Sequence, residues 1–281
     1  MINFRSVLDM NMLIRNNLSH IPNVDCVVGV PRSGMLPATL IALYLGKPLM
    51  SIDNIHKHTT VGYSERLPLL TYIKRVLVVD DSCDSGNAMR KVKKDLIISE
   101  VTNELEFIYC AVYATQRAID NGEIDFYFER VDQPRVFEWN ILDHNILQKS
   151  LVDLDGVLCD DPTDEENDDG ERYIRFLKSA RPKFIPHYKL KGIVTCRLEK
   201  YRTLTDEWLK AHNIKYDTLI MMNVRDAKTR QQLGAYADFK AHYYSHSDAE
   251  LFIESDSAQA QRIWAIANKP VYCVNSNLFY R

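Results

Sequence analysis

No apolar run in this chain approaches the roughly 18 residues that a membrane-spanning helix requires. Charge of one sign is not in excess either. The 35 Lys and Arg against 38 Asp and Glu leave a net charge of −3, too little for a general nucleic-acid surface. Internal repeats, low-complexity tracts and Gly/Ser linkers are absent. The six cysteines, at 26, 83, 110, 159, 196 and 273, never fall in a CxxC spacing, and most sit in apolar strand-like runs. They read as buried thiols of a cytoplasmic protein, not as disulfides or zinc ligands. The opening MINFRSVLDMNMLIRNNL contains acids and no small-residue cleavage site, so it does not read as a signal peptide. What is present is enough chain, 281 residues, for two compact α/β domains of about 140 residues each.

The most informative stretch is Arg75 to Met89, RVLVVDDSCDSGNAM. Val76 to Val79 form a buried strand, and two adjacent carboxylates, Asp80 and Asp81, follow it. Ser82 to Asn87 are small or hydrogen-bonding residues that open into a helix. Loop N–H groups and the positive end of a helix dipole suit a phosphate, and Gly86 permits the backbone angles such a loop needs. The paired acids suit the hydroxyls of an attached sugar, or a metal. Phosphate plus diol points to a sugar phosphate. VLVVDDSCDSG resembles the phosphoribosyl pyrophosphate (PRPP) motif of the type I phosphoribosyltransferases. The resemblance implies that Asp80 and Asp81 bind the ribose hydroxyls, while Ser82, Asp84, Ser85, Gly86 and Asn87 wrap the 5-phosphate. Cys83 and Asp84 depart from the family pattern, and Asp84 adds a negative charge beside the phosphate.

Upstream, residues 1–22 are expected to hold a helix with Phe4, Val7, Leu8, Met12 and Leu13 on one face. A strand over 24–30 leads through Pro31-Arg32-Ser33-Gly34 into a helix from Met35 to Leu45, closed by Gly46. VGVPRSGMLPA resembles the pyrophosphate loop of the same family, which implies that Arg32, Ser33 and Gly34 hold the pyrophosphate. Residues 51–74 correspond to the family's flexible loop, where Lys57 and Arg66 would meet pyrophosphate. A helix over 87–98 and a strand over 107–113 follow. The aromatic runs at 125–129 and 134–140 suggest a small lid. In it Phe137 and Trp139 read as packing, and Arg135, Glu138 and Asn140 as polar recognition.

A second chemistry begins in Ser150-Leu-Val-Asp-Leu-Asp-Gly-Val-Leu158, read as a strand that ends in Asp153 and Asp155 on one side, with Gly156 allowing a sharp turn. Two convergent carboxylates at a strand end make a magnesium site and supply a nucleophile with a proton-transfer partner. DLDG resembles the first motif of the haloacid dehalogenase (HAD) phosphatases. On that resemblance Asp153 is the nucleophile and Asp155 the general acid–base. Thr195, after Gly192-Ile-Val, fits the phosphate-holding second motif, before a helix facing inward through Tyr201, Leu204, Trp208 and Ala211. Lys240 fits the charge-neutralising lysine, with Lys228 as its rival. Asp256 and Glu254, ahead of a helix over 257–267, would complete a magnesium shell with Asp153 and Asp155. The acidic run 160–171 reads as a solvated, mobile loop. With only about 40 residues between Gly156 and Thr195, no large cap domain fits.

The expected fold is therefore α/β in two domains, each a mainly parallel sheet flanked by helices. A type I phosphoribosyltransferase fold would span 1–146, and a HAD Rossmann-like fold with minimal cap 147–281. The joint resemblance implies transfer of 5-phosphoribose from PRPP to an acceptor, with Mg²⁺ at both sites, followed by removal of the 5-phosphate. A sugar of a surface glycan is the favoured acceptor. A nucleobase, or a catalytically silent PRPP sensor, is the alternative. Partners on this reading are PRPP and a small-molecule or glycan acceptor, with a homo-oligomer left open and neither nucleic acid nor a membrane span involved.

Overall fold

A computed structural model describes residues 2–56, 73–97 and 104–281. The chain divides into two compact units, Met1–Arg135 and Val136–Arg281, a division upstream of the 146/147 join drawn from the sequence. No described helix is long and apolar enough to cross a membrane.

In the first unit the chain runs β1 (Asn3–Arg5), α1 (Val7–Asn17), β2 (Cys26–Gly29), α2 (Met35–Leu45), β3 (Leu49–Ser51), α3 (Ile52–His56), β4 (Arg75–Cys83), α4 (Asn87–Ile97), β5 (Glu106–Ala114), α5 (Gln116–Asp120) and β6 (Phe126–Arg130). Five strands form one sheet in the order β3-β2-β4-β5-β6, every neighbour parallel. Parallel strands are covered on both faces, so they read as unbroken apolar runs. Val76 to Val79 in β4 are fully buried, and Val76 and Val78 pack with Val28, Met89 and Leu96. The strand order reverses between β2 and β4. Loops leaving the carboxyl ends of strands at such a switch point form the usual ligand crevice of an open α/β sheet.

Two sequence expectations change in this unit. On α1 the buried residues are Met10 and Ile14, while Leu8 and Met12 are exposed. Apolar residues surround this helix, so its spacing alone does not choose a face. The aromatic run at 125–129 is not a lid. It is mostly β6, held against β5 by parallel pairing. Lys57 and Arg66 lie outside the described residues.

β7 (Arg135–Phe137) straddles the division. The second unit continues through β8 (Ser150–Val152), α6 (Glu171–Ser179), β9 (Leu190–Leu198), α7 (Arg202–Ala211), β10 (Tyr216–Met222), α8 (Ala227–Leu233), α9 (Tyr236–Ser245), β11 (Leu251–Glu254), α10 (Ser257–Ala267), β12 (Val271–Cys273) and β13 (Leu278–Tyr280). Its sheet order is β10-β9-β8-β11-β12-β13, parallel except for the β12–β13 pair. Phe137 stacks on Trp139 with ring centres 4.8 Å apart, the packing role expected of both. On α7 the inward residues are Thr205, Trp208 and Leu209, and Ala211 is exposed at the helix end. All six cysteines are free thiols, five of them buried.

The strand read over 150–158 stops at Val152. Beyond it the chain folds back: Gly156 N donates to Cys159 O at 2.8 Å and Leu158 N to Leu154 O at 2.9 Å. Gly156 has φ +79°, and a Cβ there would collide with Ser255 Oγ. The turn that follows Asp153 therefore ends the extended run.

The loop after β2 is packed as tightly. A Cβ on Gly34 would lie 2.6 Å from Val30 O, 2.7 Å from Val79 O and 3.0 Å from Asp80 Cα. Gly34→Ala is expected to destabilise the protein by about 1–3 kcal/mol in urea denaturation. Gly46→Ala meets nothing within 4 Å at φ +61°, and its cost is limited to the left-handed backbone, about 1 kcal/mol. A Gly34 variant milder than the Gly46 variant would contradict this packing.

Candidate functional site

Each unit gathers carboxylates at the carboxyl end of its central strands. In the first, Asp80 and Asp81 lie within β4, ahead of its last two residues, and are both buried. Asp81 N–H donates to Asp80 Oδ1 at 2.9 Å. Burial pushes the Asp80 carboxyl well above the usual carboxylate range. The Asp81 charge pushes the same way, and Arg135 draws it back. Arg135 is itself buried. Desolvation lowers its affinity for a proton, and Asp84, Asp81 and Asp80 oppose that. The polar residue expected to read an acceptor thus stands as counter-charge to the acid pair.

The Pro31–Gly34 turn reaches the same place, because Gly34 rests on the Val79–Asp80 backbone. Arg32 is exposed there, Ser33 half-buried, and the Pro31–Arg32 peptide is cis. Half-buried Ser82, expected in the loop, is still in β4, and the loop after it runs through half-buried Asp84 and Ser85 to exposed Asn87 at the start of α4. Gly86 has φ +77°, and a Cβ would meet Glu123 Cβ at 2.8 Å. The side chain of Asp84 does not face a phosphate held by this loop. Thr115 Oγ1 donates to its Oδ1 at 3.1 Å, and Gln133 Nε2 to its Oδ2 at 3.2 Å. Its carboxylate braces the loop, which leaves backbone N–H groups to meet an anion. Thr115, Gln133 and Glu123 carry no motif, and only tertiary pairing reveals them.

In the second unit a cleft of about 400 Å³ is lined by Asp153, Asp155, Asp161, Thr195, Arg230, Lys240, Glu254 and Asp256, among others. Lys240 Nζ donates to Asp153 Oδ2 and to Glu254 Oε2, both at 2.7 Å, and to Gln259 Oε1 at 3.0 Å. Lys228 is exposed, so the structure joins Lys240, not its rival, to Asp153. Burial alone would lower the Lys240 ammonium, but the charges of Asp153 and Glu254 outweigh it and hold it above its ordinary value. One cation between two buried carboxylates leaves excess negative charge. Burial therefore pushes the Asp153 carboxyl well up, with Lys240 pulling against burial and Glu254 reinforcing it.

Two expected roles shift. Glu254 is fully buried. Its Oε1 accepts the N–H groups of Ser255 and Asp256, and its Oε2 accepts from Lys240, so it anchors the lysine. The Asp155 carboxylate is paired with Arg197. Arg197 grips it with Nε 3.1 Å from both oxygens and Nη2 2.6 Å from Oδ1. Arg197 is fully buried. Burial opposes its charge, yet Asp155 holds it above the ordinary value. Thr195 lies buried at the cleft, and its Oγ1 accepts from Arg197 N at 3.2 Å. Asp256 is exposed and caps α10 by accepting from Gln259 N at 2.7 Å.

The acidic run is not a loose solvated loop. Asp168 accepts from Gly170 N at 2.8 Å and Tyr173 N at 3.1 Å. Asp169 accepts from Lys200 Nζ at 2.8 Å and Ala227 N at 3.0 Å, and Asn167 from Arg230 Nη2 at 2.8 Å. These bonds fix one wall of the cleft. Arg230, buried and also donating to Cys196 O, was not anticipated.

Residues 9–143, just under half of the chain, match the phosphoribosyl transferase domain family. No curated protein sequence matches the chain. Among solved structures, the xanthine-guanine-hypoxanthine phosphoribosyltransferase of Helicobacter pylori is 19% identical, over 50% of this chain and 93% of its own, with a TM-score of 0.37. The purine phosphoribosyltransferase of Pyrococcus horikoshii Ot3 is 19% identical over 49% and 92%, with a TM-score of 0.35. The Mycobacterium tuberculosis orotate phosphoribosyltransferase in complex with PRPP is 18% identical over 44% and 74%, with a TM-score of 0.27.

Removing Lys240 leaves two buried carboxylates without their cation. Lys240→Met is expected to cost about 3–5 kcal/mol at pH 7.5. The sign with pH follows from Asp153. Its folded-state carboxyl is already raised and rises further without the ammonium, so the folded variant binds a proton that the unfolded chain releases. The deficit should shrink on going to pH 5 in urea denaturation. A deficit equal at both pH values would contradict the pairing.

Proposed function

We propose that the first unit transfers 5-phosphoribose from PRPP to an acceptor, and that the second hydrolyses the 5-phosphate of the product. The transferase reading is carried by the family match over residues 9–143 together with the buried Asp80–Asp81 pair beside the Pro31–Gly34 turn. In this reading the acids take the ribose hydroxyls. The N–H groups of Ser82 to Asn87 and the start of α4 hold the 5-phosphate. Arg32, Ser33 and Gly34 meet the pyrophosphate. The bond from C1 to pyrophosphate breaks through an oxocarbenium-like state, the acceptor attacks C1, and pyrophosphate leaves. Positioning and charge stabilisation carry the rate.

The phosphatase reading rests on the Lys240 ammonium set between Asp153 and Glu254. Asp153 would attack phosphorus, while Thr195 holds a phosphate oxygen and the Lys240 ammonium neutralises the charge of nucleophile and phosphate. Among the described residues no three His, Cys, Asp or Glu side chains form a ready metal cage. Magnesium needs only one or two carboxylates beside water and phosphate oxygens. Asp153 and Asp256 would supply them here, and Asp80 and Asp81 in the first unit. Five carboxylates and two cationic side chains line the cleft, so a phosphate dianion would gain from that added positive charge.

A glycan sugar is the acceptor we favour. The interval between Gly156 and Thr195 holds the ordered loop, α6 and the approach to β9 with no inserted domain above the cleft, which suits a phosphate on a bulky product. Pyrophosphate release from PRPP, measured against panels of sugars and nucleobases, tests the proposal. The wild type should release pyrophosphate with one class. Asp80→Asn with Asp81→Asn should lower the rate by about 100-fold or more, and Asp153→Asn should leave it unchanged. PRPP binding without release for any acceptor would sink the transferase and leave a sensor.

A further inference from the structure

The second cleft holds a buried cation that no carboxylate balances. Lys240 is committed to Asp153 and Glu254, and Arg197 to Asp155. Arg230 lines the same cleft and is only 7% exposed, yet among the described residues it forms no ion pair. Its acceptors are neutral. Nη1 donates to Cys196 O at 3.1 Å and Nη2 to Asn167 Oδ1 at 2.8 Å. Tyr173, which lines the cleft beside it, is a phenol that burial pushes up to about 12, with Arg230 drawing it back. The Arg230 Nε is buried and meets no hydrogen-bond acceptor among the described residues. A guanidinium taken out of water is costly unless a counter-charge meets it. Neutral carbonyl and amide oxygens offset only part of that cost.

The sheet fixes where this cation stands. Asp153 follows β8, and Cys196 lies on β9, the parallel neighbour of β8. Arg230 reaches Cys196 from α8, which follows β10 on the far side of β9. Neighbouring strands lie about 5 Å apart, so the guanidinium is offset from Asp153 by a strand spacing or more. Asn167, its other anchor, belongs to the ordered acidic segment and donates its own N–H to Thr163 O at 3.0 Å. The Cys196 thiol, raised by burial, responds to Lys240, Asp153 and Glu254 and also to Arg230. Both charged groups thus lie within electrostatic reach of one side chain. A phosphate on Asp153 and an anion on Arg230 would be two ends of a single substrate.

We propose that Arg230 binds a second anionic group of the phosphatase substrate, a phosphate or carboxylate carried about one sugar ring away from the ester that is cleaved. The inference rests on the phosphatase reading and refines it, because the acceptor that takes up phosphoribose is then itself anionic near the new bond. Cys196 O and Asn167 hold the guanidinium in place, and the idle Nε supplies a charge-assisted hydrogen bond to the anion.

The test compares removal of the 5-phosphate from three esters by the whole chain with magnesium. Ribose 5-phosphate is uncharged at C1, ribose 1,5-bisphosphate carries a phosphate there, and ribonate 5-phosphate carries a carboxylate. The wild type should favour at least one charged ester by about 10-fold or more in kcat/KM. Arg230→Gln should abolish that preference through KM, with a loss of about 30-fold on the favoured ester and less than about 3-fold on ribose 5-phosphate. Arg230→Lys, which keeps the charge, should retain part of the preference. The ester whose KM responds identifies the group as phosphate or carboxylate. A wild type with no preference, or equal losses on all three esters in Arg230→Gln, overturns the inference alone. A wild type that hydrolyses none of the three removes the phosphatase reading and the inference with it.

Discussion

Several carboxylates taken out of water at the ends of parallel strands are the constraint that both units answer. Like charges in a low-dielectric interior repel strongly and lose their hydration, so they persist only beside a cation or with a proton retained. The first unit sets Asp80 and Asp81 at the end of β4 against the buried Arg135. The second sets Asp153 and Glu254 on one lysine and Asp155 on one arginine. A buried pair of this kind contributes little net stability, while losing one partner is costly. Such clusters mark sites where charge is held ready for a ligand.

The two clusters are completed differently. In the first unit the acids lie near the end of β4, beside the Gly34 turn and ahead of the loop that carries Gly86, a setting proposed for binding a charged sugar. In the second the cation itself touches the proposed nucleophile, a setting for phosphorus chemistry. Arg197 and Lys240 each pair with one of the aspartates that line the second cleft. One fixes the loop after β8 through Asp155, and the other tunes Asp153.

Much of this was legible in the chain because strong local signals agreed. The unbroken apolar run of β4 and the left-handed Gly46 that ends α2 lie where their patterns place them. Other features were hidden for physical reasons. The face of α1 was ambiguous because apolar residues surround that helix. The run after Asp153 looked extended because Val157 and Leu158 are apolar, yet a left-handed glycine turns it back. The acidic segment looked solvated because composition does not show that Asp168, Asp169 and Asn167 hold specific partners on α6, α8 and Lys200. Arg135, Arg197 and Arg230 are bound to their roles only by tertiary pairing.

The most direct test is mass spectrometry of the products formed from PRPP and the acceptor that supports pyrophosphate release, with wild-type protein and Asp153→Asn. The account predicts an acceptor carrying unphosphorylated ribose from the wild type, and the same product heavier by one phosphate from the variant. Identical products from the two proteins, or a wild-type product that keeps its phosphate, would contradict it.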